Sequence, residues 1–314
     1  MKVSVKVPST TANLGPGFDI FGLALPFYNE ITVEETVIPH LGIEFHVYDE
    51  KGEENLYIKN EGEENIVFKA IKILYNFVGQ EPDSLKITIK TGIPIARGLG
   101  SSASVIVGGL IAANELLGNP SDIDALLAIA TEVEGHPDNV VPAFVGGFVV
   151  ASQEDDGRVI YRKIEWNNDW KLTVCIPDFE LQTGISRSVL PETVSYKDAI
   201  FNTKRCSMFI EALHTKDDKL MKLALQDKLH QPYREKLVPG LKEISNKIKN
   251  EEDIIGCVLS GAGPSLLVIS KQNALEKAKD IINETYNNLN IKVDVLTVEI
   301  EQNGAYIESN GEEN

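Results

Sequence analysis

The sequence predicts an α+β protein built from two domains. The chain has 314 residues, which corresponds to about two domains at roughly 150 residues each. Short segments with the period of a strand are mixed with segments of helical period, without strict alternation of the two. With 43% hydrophobic and 25% charged residues, the composition is that of an ordinary globular protein. The irregular order favours an α+β fold over a doubly wound parallel sheet.

The elements of the first half follow from these periods in order. Alternation of apolar and polar residues predicts strands at 3–7, 31–35, 41–47 and 85–90. Helical spacing predicts helices at 65–78, 101–117 and 121–135. Ser121 begins the last of these with an S-D-I-D capping box, Gly118 and Gly135 are stop signals, and a further helix follows from about Val140. Two short strands joined by an Asp156-Gly157 turn complete this half.

A polar break at Trp166–Trp170 marks the predicted boundary, which divides the chain into domains 1–165 and 166–314. The second half opens with a strand at 171–177. Helices are predicted near 196–213, 218–228, 237–249 and 274–289. A strand-loop-strand at 254–270 and a last strand at 293–300 complete the prediction.

Charge and cysteine usage exclude several classes of protein. With 30 Lys and Arg against 47 Asp and Glu, the formal charge of −17 repels nucleic acids and anionic membranes. The cysteines, Cys175, Cys206 and Cys257, form no C-x-x-C pair, which argues against a disulfide framework or a zinc site. The start of the chain lacks a signal-peptide-like apolar run, and its longest uncharged stretch, 17 residues at 98–114, contains Gly, Ser and Asn. We therefore expect a cytoplasmic protein with neither a nucleic-acid nor a membrane partner.

A glycine-rich loop at 94–104 (PIARGLGSSAS) lies between a predicted strand and a long helix. Glycines let the backbone approach an anion, and the helix start offers N–H groups and a positive dipole end. No Gly-Lys pair occurs in the chain, so the loop is not a Walker A motif. Its G-x-G-x-x-A matches a dinucleotide fingerprint loosely, but seven residues separate Lys90 from Gly98, which disfavours an NAD oxidoreductase.

Two other loops combine glycine with small polar residues after a strand: Pro8–Asp19 (PSTTANLGPGFD) and Ser260–Ser265 (SGAGPS). Together, the three loops resemble the motifs of the GHMP kinases, the family of galactokinase, homoserine kinase, mevalonate kinase and phosphomevalonate kinase. The resemblance extends from Val7 to about Ser270. It is greatest to the homoserine kinases, on the first loop, on E-G-H-P-D-N-V at Glu134–Val140 and on Q-P-Y-R at Gln231–Arg234.

The resemblance implies a two-domain GHMP kinase fold, with a first domain like ribosomal protein S5 and a ferredoxin-like second domain. The first domain would bind the nucleotide through loop 94–104, and the second would face the substrate with loop 260–265. The implied reaction is the ATP-dependent phosphorylation of L-homoserine to O-phospho-L-homoserine in threonine biosynthesis. Another small-molecule kinase of the family, of the mevalonate-pathway type, and a non-catalytic nucleotide-binding relative are the alternatives. Members are often dimers, so a homodimer is an open expectation.

The candidates for binding the nucleotide phosphates and the metal are the glycine-rich loop and one acidic residue. The candidate phosphate-binding residues are Pro94, Arg97, Gly98, Leu99, Gly100, Ser101, Ser102, Ala103 and Ser104. Glu134 ends a helix, where backbone carbonyls disfavour a carboxylate unless a cation lies beside it. We expect Mg²⁺ there, with the Ser102 hydroxyl as a second oxygen ligand, and the resemblance gives both residues the same role. Glu132 is the alternative if Glu134 is misplaced.

The acceptor amino acid requires partners for a carboxylate, an ammonium group and a hydroxyl. Arg187 and Arg234 suit a carboxylate because a guanidinium binds it through two parallel hydrogen bonds. The resemblance assigns both to the homoserine carboxylate. Candidates for the remaining substrate contacts are Asp19 and Asp138 for the ammonium group, Asn13 for the hydroxyl, and Gly261 in the third loop.

The sequence leaves the proton acceptor open. Mevalonate kinases carry an Asp where this chain has Asn139, which cannot act as a base, so we expect positioning by Asn139 and proton transfer to the γ-phosphate or water. His136 is either a base or a structural and substrate-binding residue. Thr183 is expected to contact the γ-phosphate or the alcohol. Asn65 contacts adenine or caps a helix, and the sequence does not decide between these roles.

Overall fold

The computed structural model describes residues 1–36, 42–49, 51–55 and 64–308. Within them the strands are β1 (Lys2–Ala12), β2 (Phe21–Glu35), β3 (Gly42–Tyr48), β4 (Ser84–Lys90), β5 (Phe148–Gln153), β6 (Val159–Ile164), β7 (Trp170–Pro177), β8 (Ile254–Leu259), β9 (Leu266–Lys271), β10 (Val293–Val298) and β11 (Tyr306–Ile307). The helices are α1 (Ile66–Phe77), α2 (Ser101–Leu116), α3 (Ile123–Glu134), α4 (Pro137–Val145), α5 (Thr183–Ser188), α6 (Tyr196–Thr215), α7 (Asp218–Ala224), α8 (Gln231–Arg234), α9 (Leu241–Ile248) and α10 (Leu275–Asn288).

The strands form two separate sheets. The first has the order β11-β1-β2-β4-β3, and its branch consists of β5, which pairs with β2, and β6, which pairs with β5. Its pairs are antiparallel except for β3 and β4. The second sheet is antiparallel, with the order β10-β7-β9-β8. This mixture of antiparallel sheets and helices confirms the predicted α+β class.

Three apolar clusters hold the sheets and helices together. The first lies between the large sheet and helices α1 to α4, and the third lies between the second sheet and helices α9 and α10. The middle cluster joins the two halves, because Phe21 and Phe148 of the first sheet pack on Phe209 of α6. We call the boundary between the two halves the seam. The packing of these rings holds the loops along the seam in fixed positions relative to each other.

Local capping explains where the helices near the seam begin and end. Asn65 caps α1 by accepting a hydrogen bond from the Val67 N–H. At α3 the predicted capping box is wrong: Asp122 is the N-cap, and its carboxylate accepts from the Ala125 N–H. Ser121 stays outside the helix because its N–H donates to the side chain of Asn114. The helix ends at Glu134, where Gly135 adopts a left-handed φ of 92°.

The second half departs from the predicted elements in several places. The segments at 183–188 and 231–234, which lie outside the predicted helices, are the short helices α5 and α8. Helix α7 ends at Ala224 rather than at residue 228, and α9 begins only at Leu241, after Gly240 with a φ of 97°. These are short elements, for which the helical period is a weak signal.

The chain end returns to the first sheet, which the sequence did not predict. Tyr306 and Ile307 form β11 beside β1, so this part of the predicted domain 166–314 lies on the other side of the seam. The boundary after residue 165 stays a prediction, although the first sheet's strand β6 ends at Ile164 and the second sheet begins at Trp170.

Residue 41 of one predicted strand and the acidic end 309–314 lie outside the described residues. None of the helices in the described part of the chain has the length and apolar composition needed to cross a membrane.

Close packing of α4 on β2 requires glycine at position 22. A Cβ at Gly22 would lie 1.8 Å from the carbonyl oxygen of Asp138 and 2.8 Å from Pro142. Because the nearest atom belongs to the backbone, it cannot rotate away. We expect Gly22→Ala to cost about 3 kcal/mol or more, measured as the free energy of unfolding in urea.

The matched control is Gly184→Ala in α5, where an added Cβ meets nothing within 4 Å. This variant should stay within about 1 kcal/mol of wild type. Equal stabilities for the two variants would contradict the close contact between β2 and α4.

Candidate active site

The three glycine-rich loops meet at one cavity of about 390 Å³ on the seam between the two halves. Loop 94–102, the β1–β2 loop and the β8–β9 loop each contribute to its wall. The predicted site residues that line it are Asn13, Asp19, Asn65, Pro94, Arg97, Gly98, Leu99, Gly100, Ser101, Ser102, Glu134, His136, Asp138, Asn139, Thr183, Arg187, Arg234 and Gly261. The fold therefore brings together residues that are up to 248 positions apart in sequence. For example, the Asn13 side chain donates a hydrogen bond to the Gly261 carbonyl.

Two predicted phosphate-binding residues, Ala103 and Ser104, do not line the cavity; both are fully buried. The Ser104 hydroxyl donates to the Ser101 carbonyl at 2.7 Å and accepts from Asn29 at 2.8 Å, while its N–H donates to Gly100. The hydroxyl and the N–H of Ser104 thus both have partners inside the protein. Its assignment to the phosphate site was wrong, and the Ala103 side chain belongs to the core.

The glycine-rich loop keeps its shape through contacts with both other loops. Gly100 has a left-handed φ of 67°, and a Cβ there would lie 1.9 Å from Oγ1 of Thr10. The Ser260 hydroxyl donates to the Gly98 carbonyl at 2.7 Å. Behind the loop, the first turn of α2 has backbone N–H groups without a partner in its own helix, and Ser101 and Ser102 line the cavity at that point. The loop and the helix start together form an anion cradle.

Glu134 lies beside this cradle. The Ser102 hydroxyl donates to Oε2 of Glu134 at 2.8 Å, so the two predicted metal ligands are neighbours although 32 positions separate them. Burial raises the pKa of Glu134, while the charge of His136 and the hydrogen bond from Ser102 act in the opposite direction. A buried carboxylate and a hydroxyl next to a phosphate cradle are donors of the type that Mg²⁺ prefers. Glu132 is exposed and lies outside the cavity.

A second group of possible metal ligands lies in the same cavity. Asp19, His136 and Asp138 offer ligand atoms within 4.8 Å of one another. His136 shares a 2.5 Å hydrogen bond with Asp138, and Asp19 pairs with Arg187. Because each of these groups already has a partner, the cluster is an ion-pair network in the wall of the cavity.

The two arginines converge on one aromatic ring. Arg187 donates to both carboxylate oxygens of Asp19, at 2.7 and 3.2 Å. The buried Arg234 donates to the carbonyls of Ser186 and Gly261, both at 3.1 Å. Their guanidinium carbons lie 5.4 and 5.2 Å from the centre of the Phe18 ring.

Arg234 is only 2% exposed and forms no ion pair with a carboxylate of the described residues. Burial, together with the charge of Arg187, lowers its pKa to about 10. A desolvated guanidinium without an anionic partner, next to a second one, is a strong binding site for a carboxylate.

The structure gives the predicted hydroxyl-binding residues fixed orientations. Asn139 accepts from the Thr10 hydroxyl at 2.7 Å and donates to Asp138 at 3.3 Å. Asn13 accepts from the Asp19 N–H at 3.0 Å and donates to the Gly261 carbonyl at 3.1 Å. Thr183 begins α5 at the cavity edge. Each amide is therefore oriented before any substrate enters.

The residues at the apolar end of the cavity extend the predicted nucleotide site. Asn65 lines this end, but its side-chain oxygen already caps α1, so both roles considered for it are compatible with the structure. The cavity wall here contains Val47, Ile66, Val67, Ile89, Ile95 and Val105. Such a slot suits a flat aromatic base. These residues were missed because a single apolar residue in a strand or helix gives no sequence signal beyond its contribution to the core.

Comparisons with known proteins agree with this geometry. Residues 65–147 match the family described as GHMP kinases N terminal domain, and residues 209–288 match GHMP kinases C terminal. A homoserine kinase from Clostridium botulinum is 43% identical over 279 residues, 89% of this chain and 90% of that protein. The chain belongs to the GHMP kinase family. A homoserine kinase from Carboxydothermus hydrogenoformans is 40% identical over 304 residues, 96% of each chain.

Solved structures of GHMP kinases share the whole fold. The crystal structure of a homoserine kinase from Cytophaga hutchinsonii has a TM-score of 0.85 at 28% identity, over 98% of this chain and 97% of that one. A mevalonate kinase structure has a TM-score of 0.67 at 18% identity, over 95% of this chain and 99% of that one. The second likeness extends to the fold alone.

The His136–Asp138 pair predicts a pH-dependent contribution to stability. Burial lowers the pKa of His136, but the hydrogen bond and charge of Asp138 outweigh burial and raise the pKa above its ordinary value. The pair therefore stabilises the fold fully below the pKa of an unfolded histidine, about 6.5, and this contribution is lost as pH rises through the raised pKa. We expect the loss in unfolding free energy for His136→Gln to be larger near about pH 5.5 than near about pH 9.

The control is His214→Gln at an exposed histidine of α6, measured at the same pH values. Urea unfolding at several pH values provides the measurement. A loss that is constant with pH, or grows towards high pH, would show that His136 is neutral in the folded protein.

Proposed function

We propose that this chain is an ATP-dependent kinase that phosphorylates the side-chain hydroxyl of L-homoserine to O-phospho-L-homoserine. The observation that carries the proposal is the cavity's charge layout. The cavity is lined both by a phosphate cradle with Glu134 and by the Arg187 and Arg234 guanidiniums with Asp19 and Asp138. An α-amino acid has the complementary pair of charges, and the relatives described above carry the name homoserine kinase.

The residues of the cradle would hold the nucleotide. The backbone of loop 98–102 and the first turn of α2 bind the phosphates, and the apolar slot takes the adenine. Ser102 and Glu134 would hold Mg²⁺, which neutralises the charge that develops on the phosphate oxygens. The raised pKa of Glu134 means that its negative charge is poorly compensated without a cation, which fits a metal ligand.

The acceptor is held with its hydroxyl towards the cradle. Arg234 and Arg187 bind the carboxylate, Asp19 and Asp138 face the ammonium group, and Asn139 orients the hydroxyl. Held in this way, the hydroxyl oxygen would lie in line with the γ-phosphorus, and such positioning supplies much of the rate in phosphoryl transfer.

The hydroxyl proton requires no protein base in this arrangement. Asn139 has no basic atom, and the pKa of His136 is raised above its ordinary value, which favours the protonated ring, a poor proton acceptor. A loose transition state places little demand on a base, so the proton passes to an oxygen of the transferred phosphoryl group or to water. His136 then acts by holding Asp138 in place.

A coupled ADP-release assay with L-homoserine, mevalonate and no acceptor tests the proposal. Turnover that depends on L-homoserine supports it. Preference for mevalonate favours the mevalonate-pathway alternative, and nucleotide binding without ADP release favours a non-catalytic relative. The cytoplasmic location and the homodimer remain predictions.

A further inference from the structure

His230 is a fully buried histidine that the catalytic scheme does not use. It immediately precedes α8, the helix that carries Arg234. Its Nε2 lies 2.8 Å from the carbonyl oxygen of Gly15, and its Nδ1 lies 3.3 Å from Nη1 of Arg234. A carbonyl only accepts and a guanidinium only donates hydrogen bonds, so the ring must carry its proton on Nε2 and leave Nδ1 free to accept. The two neighbours thus define one neutral tautomer.

The other charges around His230 are compatible with a neutral ring. Asp227, on the preceding loop, accepts from the N–H groups of Leu229, His230 and Gln231 and from the side chain of Asn202, at 2.7 to 3.0 Å. Its side chain is fully buried, and its Oδ2 also lies 3.5 Å from Nε2 of His230, the nitrogen that carries the proton. Four donors compensate its charge, so it does not require an imidazolium. Asp19, on the β1–β2 loop, and Arg234, on α8, are the other charged groups that act on the ring, with opposite effects. Burial is the largest influence and lowers the pKa of His230.

Arg234 has five N–H groups, and acceptors among the described residues occupy three of them. Nε–H donates to Ser186, and the two hydrogens of Nη1 are directed to Gly261 and to Nδ1 of His230. The two N–H groups of Nη2 remain for a ligand in the cavity that Arg234 lines. The Phe18 ring stacks on His230 at 5.2 Å and also lies against both guanidiniums.

We infer that His230 is the positioning residue for Arg234: its neutral Nδ1 fixes the guanidinium so that Nη2 faces the substrate carboxylate, and its Nε2 ties that guanidinium to the β1–β2 loop. The inference rests on the proposed function, since it assumes a carboxylate at Arg234. Through its contact with Gly15, His230 also links Arg234 to the β1–β2 loop, which carries Asn13 and Asp19. The two parts of the acceptor site are thereby connected.

Two substitutions separate the two hydrogen bonds of the ring. His230→Asn can place an amide oxygen near the position of Nδ1, which keeps the acceptor for Arg234. His230→Gln can place an amide nitrogen near the position of Nε2, which keeps the donor to Gly15 but removes the acceptor. We expect His230→Gln to raise KM for L-homoserine by about 10- to 100-fold, the effect of a lost hydrogen bond to a charged group.

His230→Asn should change this KM by less than about threefold, and both variants should keep kcat and KM for ATP near wild type. The exposed His214→Gln is the matched control and should leave kcat and both KM values unchanged. An unchanged KM for L-homoserine in His230→Gln, or equal increases in both variants, would overturn the inference, because a purely structural ring would not distinguish the two amides.

A measurement on the wild-type protein keeps the inference testable if the variants do not fold or homoserine is not the substrate. Nitrogen-15 NMR of histidine-labelled protein reports the tautomer of each of the five histidines. We expect one buried histidine to keep the neutral form with the proton on Nε2 from about pH 8 to about pH 6, below the ordinary pKa of the group. A proton on Nδ1 of His230, or an imidazolium at neutral pH, would overturn the positioning role independently of the substrate.

Discussion

Arg234→Ala is expected to lower kcat/KM for L-homoserine by about 30-fold to several thousandfold, while the dissociation constant of ATP hardly changes. Removing one member of a desolvated charge pair costs roughly 2 to 5 kcal/mol, and each 1.4 kcal/mol is about one decade. Arg234 is buried and lines the cavity, and the proposed function gives the substrate carboxylate to Arg234 and the nucleotide phosphates to loop 98–102. Arg187→Ala should act in the same direction but less strongly, because Arg187 is partly exposed and already paired with Asp19.

Steady-state kinetics with varied homoserine and ATP give both quantities. The matched control is Arg158→Ala, whose side chain is 73% exposed and paired with Asp156 far from the loops, and it should leave both unchanged. Lysine at position 234 should restore activity only in part because it lacks the planar guanidinium. An amino alcohol without a carboxylate should be phosphorylated slowly and almost equally by wild type and Arg234→Ala. If Arg234→Ala binds homoserine normally but loses ATP binding, Arg234 belongs to the phosphate site and not to the carboxylate site.

Glu134→Gln is expected to lower kcat by about 10² to 10³, the usual effect of removing one preorganised electrostatic contact. The amide keeps the shape and can still accept from the Ser102 hydroxyl, so the change removes only the charge. Because burial raises the pKa of Glu134, the ionised carboxylate costs stability in the absence of a cation. At neutral pH and without nucleotide or metal, we therefore expect Glu134→Gln to be at least as stable as wild type while losing activity.

Glu132→Gln is the control on the same helix, with an exposed side chain that lies outside the cavity. Its kcat should remain within about threefold of wild type. If Glu134→Gln also stays within about threefold, Glu134 is not the metal ligand and Glu132 becomes the candidate.

The sequence was most informative where a loop needs special residues over several consecutive positions. Gly98 and Gly100 adopt positive φ values next to an anion cradle, and only glycine does so without strain. Such requirements leave a local pattern, which is why the three loops and the residues within them were predicted. The α+β class followed in the same way from the strand and helix periods.

Contacts between distant segments left no such pattern. Phe18 was missed because its contacts are with Arg187 and Arg234, which the fold brings to it from the other half. His230 was missed because its ring lies between Arg234 and the Gly15 carbonyl of the first half, a contact that the sequence does not show. Ser104 was included wrongly because sequence position alone does not show that its hydroxyl bonds to Asn29 in β2. Short elements such as β11 depend on tertiary pairing more than on their own residues.

Phosphorus-31 NMR of the reaction mixture, correlated with proton signals, shows whether this cavity transfers the γ-phosphoryl group of ATP to the side-chain hydroxyl of L-homoserine. We expect one new phosphate ester whose phosphorus couples to the side-chain methylene protons next to the former hydroxyl, formed in step with ADP. With Arg234→Ala at the same enzyme concentration and below saturating homoserine, the ester should form at least about 30-fold more slowly. ADP accompanied only by inorganic phosphate, or by a phosphate attached elsewhere on the amino acid, would contradict the proposed transfer.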